Sequence, residues 1–415
     1  MRKSVIIKLL LCLILISFLS VNYASGETMG SAITWDKTFG GNGEDMGFSI
    51  IQTKNGGYAI AGYAIFPRKE KKDDWRSKLG YIILEKSKRQ DFWIIKLDKN
   101  GNMEWDEAFG EEGADVARSI IQTEDGGYAV VGSIWTKYAS KQDFWLIKLG
   151  ENGNKEWDKT FDEDENDIAY SLIQTEDGGY AIAGSTGLRV WGETNCWVIK
   201  LDVKGNMEWD SNFGGTGWDE TYSIIQTKDE GFIAIGCVWS KGAGRGDVRV
   251  AKLNKRGNLV WDKTFGGREN DEAYSIIQTE DRGYAVAGFT VLEETGDRDI
   301  LVIKLDKEGN KVWDRAFGGT SEDWANSIIQ TKDGGYMVAG WTSSMGAGKT
   351  DVWIVKLDKR GDLIWDKTFG GSENDEAHSI IQTDDGGYAV VGWTKSKGAG
   401  NSDVWIIKLD ENGNL

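Results

Sequence analysis

The sequence is poor in several residue types that mark catalytic or cross-linked proteins. It has one histidine, His378, one proline, Pro67, and three cysteines in 415 residues. A single imidazole leaves no His-rich metal site and little basis for Ser–His or Cys–His catalysis. Only Cys196 and Cys237 lie beyond the N-terminal segment, so the chain has no disulfide framework. We interpret both as small core or loop residues, with a bridge between them as the alternative.

Long apolar runs are also absent, except near the N-terminus. Three basic residues precede an apolar run from Leu9 to Val21, and small residues follow before the chain turns polar at Glu27. This order is typical of a secretory signal peptide, here residues 1–26. The run is shorter than the roughly 20 residues that span a bilayer. The sequence therefore predicts a secreted or cell-surface protein, with an uncleaved N-terminal anchor as the alternative.

Positive charge is scarce. Lys and Arg number 49 against 66 Asp and Glu, which gives a formal net charge of −17. Such a surface repels nucleic-acid phosphates and anionic lipid, so neither is expected as a partner. We expect a monomer that does not insert into a membrane once the signal is cleaved.

The dominant feature of the sequence is an internal repeat. The dipeptide Trp-Asp recurs seven times, and from the second copy onward each step is 52 residues. Each copy contains four short β-branched runs separated by Gly- and Asn-rich turns, as in 363–371, 377–383, 388–394 and 403–410. A repeat of this size with four strands is the signature of a propeller blade. We predict an all-β fold, a seven-bladed β-propeller over residues 27–415.

The phase of the repeat predicts how the ring closes. The segment 32–40 reads as the fourth strand of a blade, whereas the last copy stops before its own fourth strand. We expect 32–40 to form the outer strand of the last blade, which removes open sheet edges. Each blade would then run from an inner strand such as SIIQT through YAVVG and VWIIKL to an outer WDKTF.

Residues present in every copy are expected to serve the blade. Aspartates before the inner strand, serines within it and aspartates opening the third strand are predicted to bond backbone amides, with one cation site per blade as the alternative. The Trp-Asp tryptophans are expected to pack between blades, and the glycines of the third turn to adopt positive φ. These sets are Asp45, Asp115, Asp167, Asp219, Asp271, Asp323 and Asp375; Ser49, Ser119, Ser171, Ser223, Ser275, Ser327 and Ser379; Asp91, Asp143, Asn195, Asp247, Asp299, Asp351 and Asp403; Trp35, Trp105, Trp157, Trp209, Trp261, Trp313 and Trp365; and Gly101, Gly153, Gly205, Gly257, Gly309, Gly361 and Gly413.

At these positions the chain resembles a known family. The run D-x-W-x-x-K-L-D-x-x-G-N-x-x-W, followed by F-G-G and D-G-G-Y-x-x-x-G, is similar to the secreted seven-bladed propeller repeats of bacteria and archaea. The resemblance spans residues 32–415. It implies a cell-surface location and a propeller architecture, and it implies no particular activity.

The loops that enter the inner strand and join the second to the third strand share one rim, where a ligand is expected. In the first copy this loop, residues 63–90, is extended and strongly basic. A long loop of opposite charge on an acidic protein predicts a partner contact or a lid, with an idle insertion as the alternative. Six of its nine basic residues cluster beside Trp75: Arg68, Lys69, Lys71, Lys72, Arg76 and Lys78.

Tryptophans cluster near the same rim. Aromatic rings among carboxylates stack on sugar faces and bind hydroxyls, which predicts a glycan site. Packing between blades is the alternative reading. The candidates are Trp75, Trp135, Trp191, Trp218, Trp239, Trp324, Trp341 and Trp393.

Two further readings concern metal and catalysis. Asp162, Asp164 and Asn166 form a D-x-D-x-N pattern that suits a hard cation, although the rest of an EF-hand loop is missing, so calcium is a weak expectation and no other cofactor is predicted. His378 occupies a position that varies from copy to copy, so we interpret it as an exposed strand residue and not a general base. No catalytic residue is assigned. The residues that replace His378 in other copies are Phe48, Arg118, Tyr170, Tyr222, Tyr274 and Asn326.

The sequence therefore favours a non-catalytic binding scaffold that recognises a glycan or a protein through its loop-rich rim. One alternative is a carbohydrate-active enzyme that uses a pair of rim carboxylates. The other alternative is a passive envelope protein.

Overall fold

The structure is a computed structural model that describes residues 33–67, 88–111, 113–136, 141–163, 166–188 and 193–415. Its regular elements in these ranges are all β-strands, which form seven four-stranded antiparallel sheets arranged in a ring. The predicted seven-bladed β-propeller is confirmed. No helix within these ranges is long and apolar enough to cross a bilayer. The predicted signal peptide and the basic loop residues 68–78 lie outside the described residues.

The strands follow the repeat from the inside of the ring outward. Each of the first six blades consists of four consecutive strands, in the order in which they occur in the chain. The strands are β1 Trp35–Phe39; β2 Met46–Gln52, β3 Tyr58–Pro67, β4 Lys88–Leu97 and β5 Met103–Phe109; β6 Val116–Gln122, β7 Tyr128–Thr136, β8 Lys141–Leu149 and β9 Lys155–Phe161; β10 Asn166–Gln174, β11 Tyr180–Leu188, β12 Glu193–Leu201 and β13 Met207–Phe213; β14 Asp219–Gln226, β15 Phe232–Val238, β16 Asp247–Leu253 and β17 Leu259–Phe265; β18 Asp271–Gln278, β19 Tyr284–Val291, β20 Arg298–Leu305 and β21 Lys311–Phe317; β22 Asp323–Gln330, β23 Tyr336–Thr342, β24 Asp351–Leu357 and β25 Leu363–Phe369; and β26 Asp375–Gln382, β27 Tyr388–Thr394 and β28 Asp403–Leu409.

The seventh blade is closed by the N-terminal strand, as predicted. β1 pairs antiparallel with β28, from Trp35 opposite Lys408 to Phe39 opposite Val404. The indole of Trp405 donates a hydrogen bond of 3.0 Å to Asp36 Oδ2, which ties the two ends of the chain together. The same Trp-to-Asp bond occurs within other blades, so the Asp of the Trp-Asp dipeptide anchors the third strand to the fourth.

The Trp-Asp tryptophans pack between neighbouring blades, as the sequence predicts. Trp35 in the seventh blade meets the ring of Tyr58 in the first blade edge-on at 5.7 Å. It also covers Gly101, whose φ of +74° is the positive value expected for the third turn. A Cβ atom on Gly101 would lie 2.7 Å from the Trp35 ring, so this glycine is required by its backbone and by the close approach of the indole.

Repeated serines and aspartates bond backbone amides in many of the blades, as predicted. Five of the seven serines accept an amide from the next blade, as when Ile120 N donates to Ser49 Oγ at 3.3 Å. Asp45 accepts from Gly41 N at 2.7 Å and from Ile65 N at 2.9 Å. Asp91, at the start of a third strand, instead accepts from the side chain of Arg89. These contacts hold the loops and the inner strands.

Ring closure predicts a difference between two glycine substitutions. Gly101→Ala places a methyl group against Trp35, whereas Gly56→Ala, at a similar φ of +81°, meets nothing within 4 Å. Both substitutions carry a backbone cost of about 1–2 kcal/mol, and Gly101→Ala adds about 1–3 kcal/mol of overpacking. Urea denaturation will therefore show Gly101→Ala as clearly less stable.

The extra cost of Gly101→Ala will disappear in a Trp35→Ala background, as a double-mutant cycle measures. Equal costs for the two glycine substitutions in the wild-type background would contradict the position of β1 in the seventh blade.

Candidate functional site

One side chain from each blade points into the central channel. Every inner strand has an irregularity of one residue just before its repeated serine, as between Gly47 and Ser49. A bulge of this kind leaves the extra residue without a partner and redirects its side chain. We call these seven residues the channel ring: Phe48, Arg118, Tyr170, Tyr222, Tyr274, Asn326 and His378.

Members of the channel ring contact one another from blade to blade. The rings of Phe48 and His378 are 4.9 Å apart, although 330 residues separate them in the chain. The guanidinium of Arg118 lies 5.5 Å from the centre of Phe48 and 4.9 Å from the centre of Tyr170. Side chains from seven separate inner strands meet in this way only if they surround a common axis.

The aromatic series continues through the middle blades. The ring of Tyr222 is 5.0 Å from that of Tyr170 and 4.8 Å from that of Tyr274. Asn326 is tied to the next blade, since its Nδ2 donates to the backbone oxygen of Ala377 at 2.8 Å. The channel ring is therefore a set of unlike side chains on a repeating frame, in contact from His378 through Phe48 and Arg118 to Tyr274.

The interpretation of His378 as an exposed strand residue is wrong. Its Nε2 is buried and has no hydrogen-bond partner among the described residues. Burial, with the charge of Arg118 in addition, lowers the pKa of His378 to about 4. The imidazole is therefore neutral near pH 7, because its bulge position turns it inward and not toward solvent.

Carboxylates border the channel ring in the fourth and fifth blades. Tyr222 donates its hydroxyl to Glu220 Oε2 at 2.7 Å, and Tyr274 donates to Glu272 Oε2 at 2.6 Å. Burial raises the pKa of Glu272, and the charge of Glu220 adds to the rise. Burial also raises the pKa of both tyrosines well above the usual value. This side of the channel therefore offers hydrogen-bond acceptors beside aromatic rings.

Four of the predicted tryptophans form two pairs on the rim where the inner strands begin. Trp324 and Trp341 are stacked at 5.7 Å, and Trp324 lies 5.4 Å from the channel-ring residue Tyr274. Trp218 and Trp239 lie 5.6 Å apart, and Trp218 is 46% exposed, which leaves an open aromatic surface. We call these four residues the tryptophan pairs.

The other predicted tryptophans do not join these pairs. Trp393 is buried and hydrogen-bonded to Glu376. Trp135 is half-buried at the end of β7, and its backbone amide donates to Asp115 Oδ1 at 2.7 Å. Trp75 and Trp191 lie outside the described residues, as do the basic residues of the extended loop.

The structure assembles acidic residues differently from the predicted D-x-D-x-N pattern. Asp162 lies with Asp143 and Asp167, from neighbouring strands, so that one oxygen of each falls within 4.8 Å of the others. Asp164 lies outside the described residues, and Asn166 Oδ1 already accepts a bond of 3.1 Å from a backbone amide. Lys141 forms an ion pair with Asp162 and lies 3.9 Å from Asp143. A lysine thus supplies the positive charge to this cluster.

A pair of acidic residues also recurs at five of the other six junctions between blades, and the remaining one pairs Asn195 with Asp219. At the first junction, a Cβ on Gly110 would lie 2.2 Å from Asp91 Oδ1 and 2.6 Å from Asp115 Oδ2, so both carboxylates converge beside this glycine. Burial raises the pKa of Asp115 to about 6, with a further contribution from the charge of Asp91. Burial likewise raises the pKa of Asp167, to about 7.

Surface cavities elsewhere do not coincide with the channel ring. Two lie around the first two blades, with volumes of about 480 and 670 Å³. The larger is lined by Lys96, Glu104 and Trp105, which belong to the third and outer strands. Neither includes a channel-ring residue, so the asymmetric chemistry of the molecule lies on its axis.

The cysteines belong to the core, as predicted. Cys196 and Cys237 are both buried and unbridged. Tyr222 Oη lies 3.7 Å from Cys237 Sγ, which places this thiol directly behind the channel ring.

No protein-family model matches the chain. The regulatory protein FlaEY of Caulobacter vibrioides is 25% identical over 190 residues, and the match covers 42% of this chain and 20% of that protein. The chain thus spans about a fifth of the length of this relative.

Solved structures show the same type of fold. An α-L-arabinanase of Penicillium chrysogenum, in complex with arabinobiose, superposes with a TM-score of 0.51 at 12% identity, over 72% of this chain and 94% of the enzyme. The Pan2 WD40 domain of Neurospora crassa gives a TM-score of 0.48 at 11% identity, over 88% and 89% of the two chains. At 12% identity, the likeness to the arabinanase shows the fold alone and nothing about activity.

The buried aspartates predict a specific dependence of stability on pH. Asp115 has a folded-state pKa of about 6 against an ordinary value of 3.8. The stability that its protonation contributes is fully present below pH 3.8 and is lost as the pH rises through 6. The free energy of unfolding will therefore fall less between pH 5 and pH 7.5 in Asp115→Asn than in the wild type.

Urea titrations at several pH values will measure this difference. Asp384→Asn, in an exposed turn, is the matched control and keeps the wild-type slope. A slope that Asp115→Asn leaves unchanged would show that this carboxyl is ionised throughout the range.

Proposed function

We propose that this protein is an exported, non-catalytic carbohydrate-binding propeller whose site is the channel ring and the adjoining tryptophan pairs. The observation that carries the proposal is the continuous series of aromatic rings from Tyr170 to Trp341, with carboxylates beside it. A glycan is favoured over a protein because this surface combines flat apolar faces with closely placed hydrogen-bond acceptors.

The aromatic rings supply stacking surfaces. Trp324 contacts Tyr274, Phe289 and Trp341, with centroid distances of 5.4, 4.2 and 5.7 Å. This packing fixes the indole, so a sugar that stacks on it loses little affinity to ordering of the protein. The exposed ring of Trp218 extends the same surface over the rim of the fourth blade.

The carboxylates supply polar contacts. Glu220 and Glu272 each accept a tyrosine hydroxyl, and carboxylate oxygens are the acceptors that the hydroxyl groups of a sugar would use. Because the tyrosines hold them in place, they are oriented before a ligand arrives. Export rests on the N-terminal sequence pattern, and it places the site where extracellular glycans occur.

A carbohydrate-active enzyme is the second candidate, and one observation favours it. Burial and the charge of Glu220 raise the pKa of Glu272, and a carboxyl group with a raised pKa can serve as the acid in glycoside hydrolysis beside a second carboxylate. An enzyme of this kind would release reducing ends from its ligand. Glu272→Gln would then abolish release while binding remains, whereas the non-catalytic proposal expects no release from the wild type.

The binding proposal predicts the effect of removing single indoles. Trp341→Ala and Trp218→Ala will each weaken glycan binding by about tenfold, because each removes a stacking surface. Titration calorimetry with neutral xylo-, manno- and gluco-oligosaccharides, after a screen of the mature protein against a wider glycan panel, measures the loss.

Trp365→Phe is the control, since Trp365 lies on an outer strand away from the channel. It will bind as the wild type does. Failure of the wild type to bind any glycan would overturn the proposal and favour a passive envelope protein.

A further inference from the structure

We infer that the channel recognises the carboxylate of an acidic sugar, with Arg118 as its anion-binding residue and His378 as a neighbouring donor. This inference rests on the proposed carbohydrate site and names the class of ligand within it. It is carried by an arginine in the channel for which the described residues of this strongly acidic protein supply no counterion.

Arg118 has an unusual environment. Its guanidinium stacks between Phe48 and Tyr170, at 5.5 and 4.9 Å from the ring centres. No carboxylate of the described residues lies within 4 Å of it, and its Nε is buried without a hydrogen-bond partner. The planar fork of an arginine that is held on both faces is suited to a bidentate carboxylate.

Comparison with Arg298 shows that the missing partner is not a general property of stacked arginines. Arg298 lies 5.3 Å from the ring of Phe289 and 5.4 Å from that of Trp324, in a similar sandwich. Its Nη1, however, donates to Glu322 Oε1 at 2.5 Å, so Arg298 has a carboxylate partner, although its Nε, like that of Arg118, is buried without a hydrogen-bond partner. The chain has 66 acidic residues available, and none of the described ones neutralises Arg118.

His378 adds a second unused donor on the same side of the channel ring. Its ring lies 4.9 Å from Phe48, the residue on which Arg118 stacks, and its Nε2 is buried without a partner. A bound carboxylate would supply the acceptor that a protonated imidazole lacks here. Burial and the positive charge of Arg118 lower the pKa of His378 to about 4, and an anion beside the imidazole would offset both effects.

The acidic residue nearest to His378 in the chain does not oppose an anion strongly. Glu376 is hydrogen-bonded to Trp393, and burial raises its pKa to about 7. This carboxyl therefore carries less negative charge at neutral pH than an ordinary glutamate does. Glu220 and Glu272, the carboxylates that accept tyrosine hydroxyls, lie on the far side of Tyr170, in the fourth and fifth blades.

The two halves of the channel ring thus suit two parts of one ligand. Arg118 contacts Tyr170, and Tyr170 contacts Tyr222. The cationic side of the channel ring is therefore adjacent to the aromatic side on which a sugar would stack. A uronic acid oligosaccharide matches this order, because each unit carries a carboxylate beside hydroxyl groups and an apolar ring face.

The test compares acidic trisaccharides with their uncharged methyl esters. Calorimetry with the trimers of galacturonate, glucuronate, mannuronate and guluronate will show at least one that the full mature protein binds about tenfold or more tightly than its ester. Arg118→Gln will remove that preference, and Arg118→Lys, which keeps the charge without the fork, will retain part of it. Arg315→Gln is the matched control: this arginine also stacks on a tryptophan, Trp313, at 5.6 Å, but lies on an outer strand.

Two outcomes would overturn the inference. One is that no acidic trimer binds better than its ester; the other is that Arg118→Gln keeps the preference or Arg315→Gln loses it. If neutral trisaccharides bind in the first case, the proposed carbohydrate function stands and only the acidic specificity fails. If no saccharide of either kind binds, both fail.

Discussion

The extra residue in each inner strand is the constraint on which the channel depends. Without it, the residue before the repeated serine would face one of the two neighbouring blades and would have to fit a packed interface. The bulge turns that residue toward the axis, where seven unlike side chains can coexist. The serine that follows stays in place and accepts an amide from the next blade, as Ser49 does from Ile120.

This arrangement separates the parts of the repeat that hold the ring from the part that distinguishes one blade from another. Tryptophan, glycine, serine and aspartate recur because each forms a contact between blades. The packing of Trp35 against Gly101 shows that a larger side chain at such a position does not fit. The residues of the channel ring are not required to hold neighbouring blades together. The channel ring can therefore carry an arginine in one blade, tyrosines in three and an imidazole in the last without a cost to the frame.

The architecture was predictable from the sequence because the same four-stranded unit is repeated seven times along the chain. Strand order, closure by β1 and the Trp-to-Gly packing follow from spacing, turn residues and phase. The channel ring was missed because a strand pattern with period two does not predict a bulge. The variation at the position of His378 therefore suggested a solvent-exposed residue. In a repeat protein, the variable position within an otherwise constant inner strand is the signal that was available. The position of Asp143 beside Asp162 and Asp167 was not predicted, because Asp143 lies in β8, outside the D-x-D-x-N segment.

The protonation of His378 tests the central claim most directly, because one histidine gives one set of imidazole signals. In protein labelled with ¹³C-histidine, NMR will show this imidazole unprotonated from pH 8 down to pH 5, with a midpoint near 4. Arg118→Gln will move the midpoint upward, since it removes the facing positive charge. A midpoint near the ordinary 6.5 that Arg118→Gln leaves unchanged would mean that His378 faces solvent, and the channel ring as described would not exist.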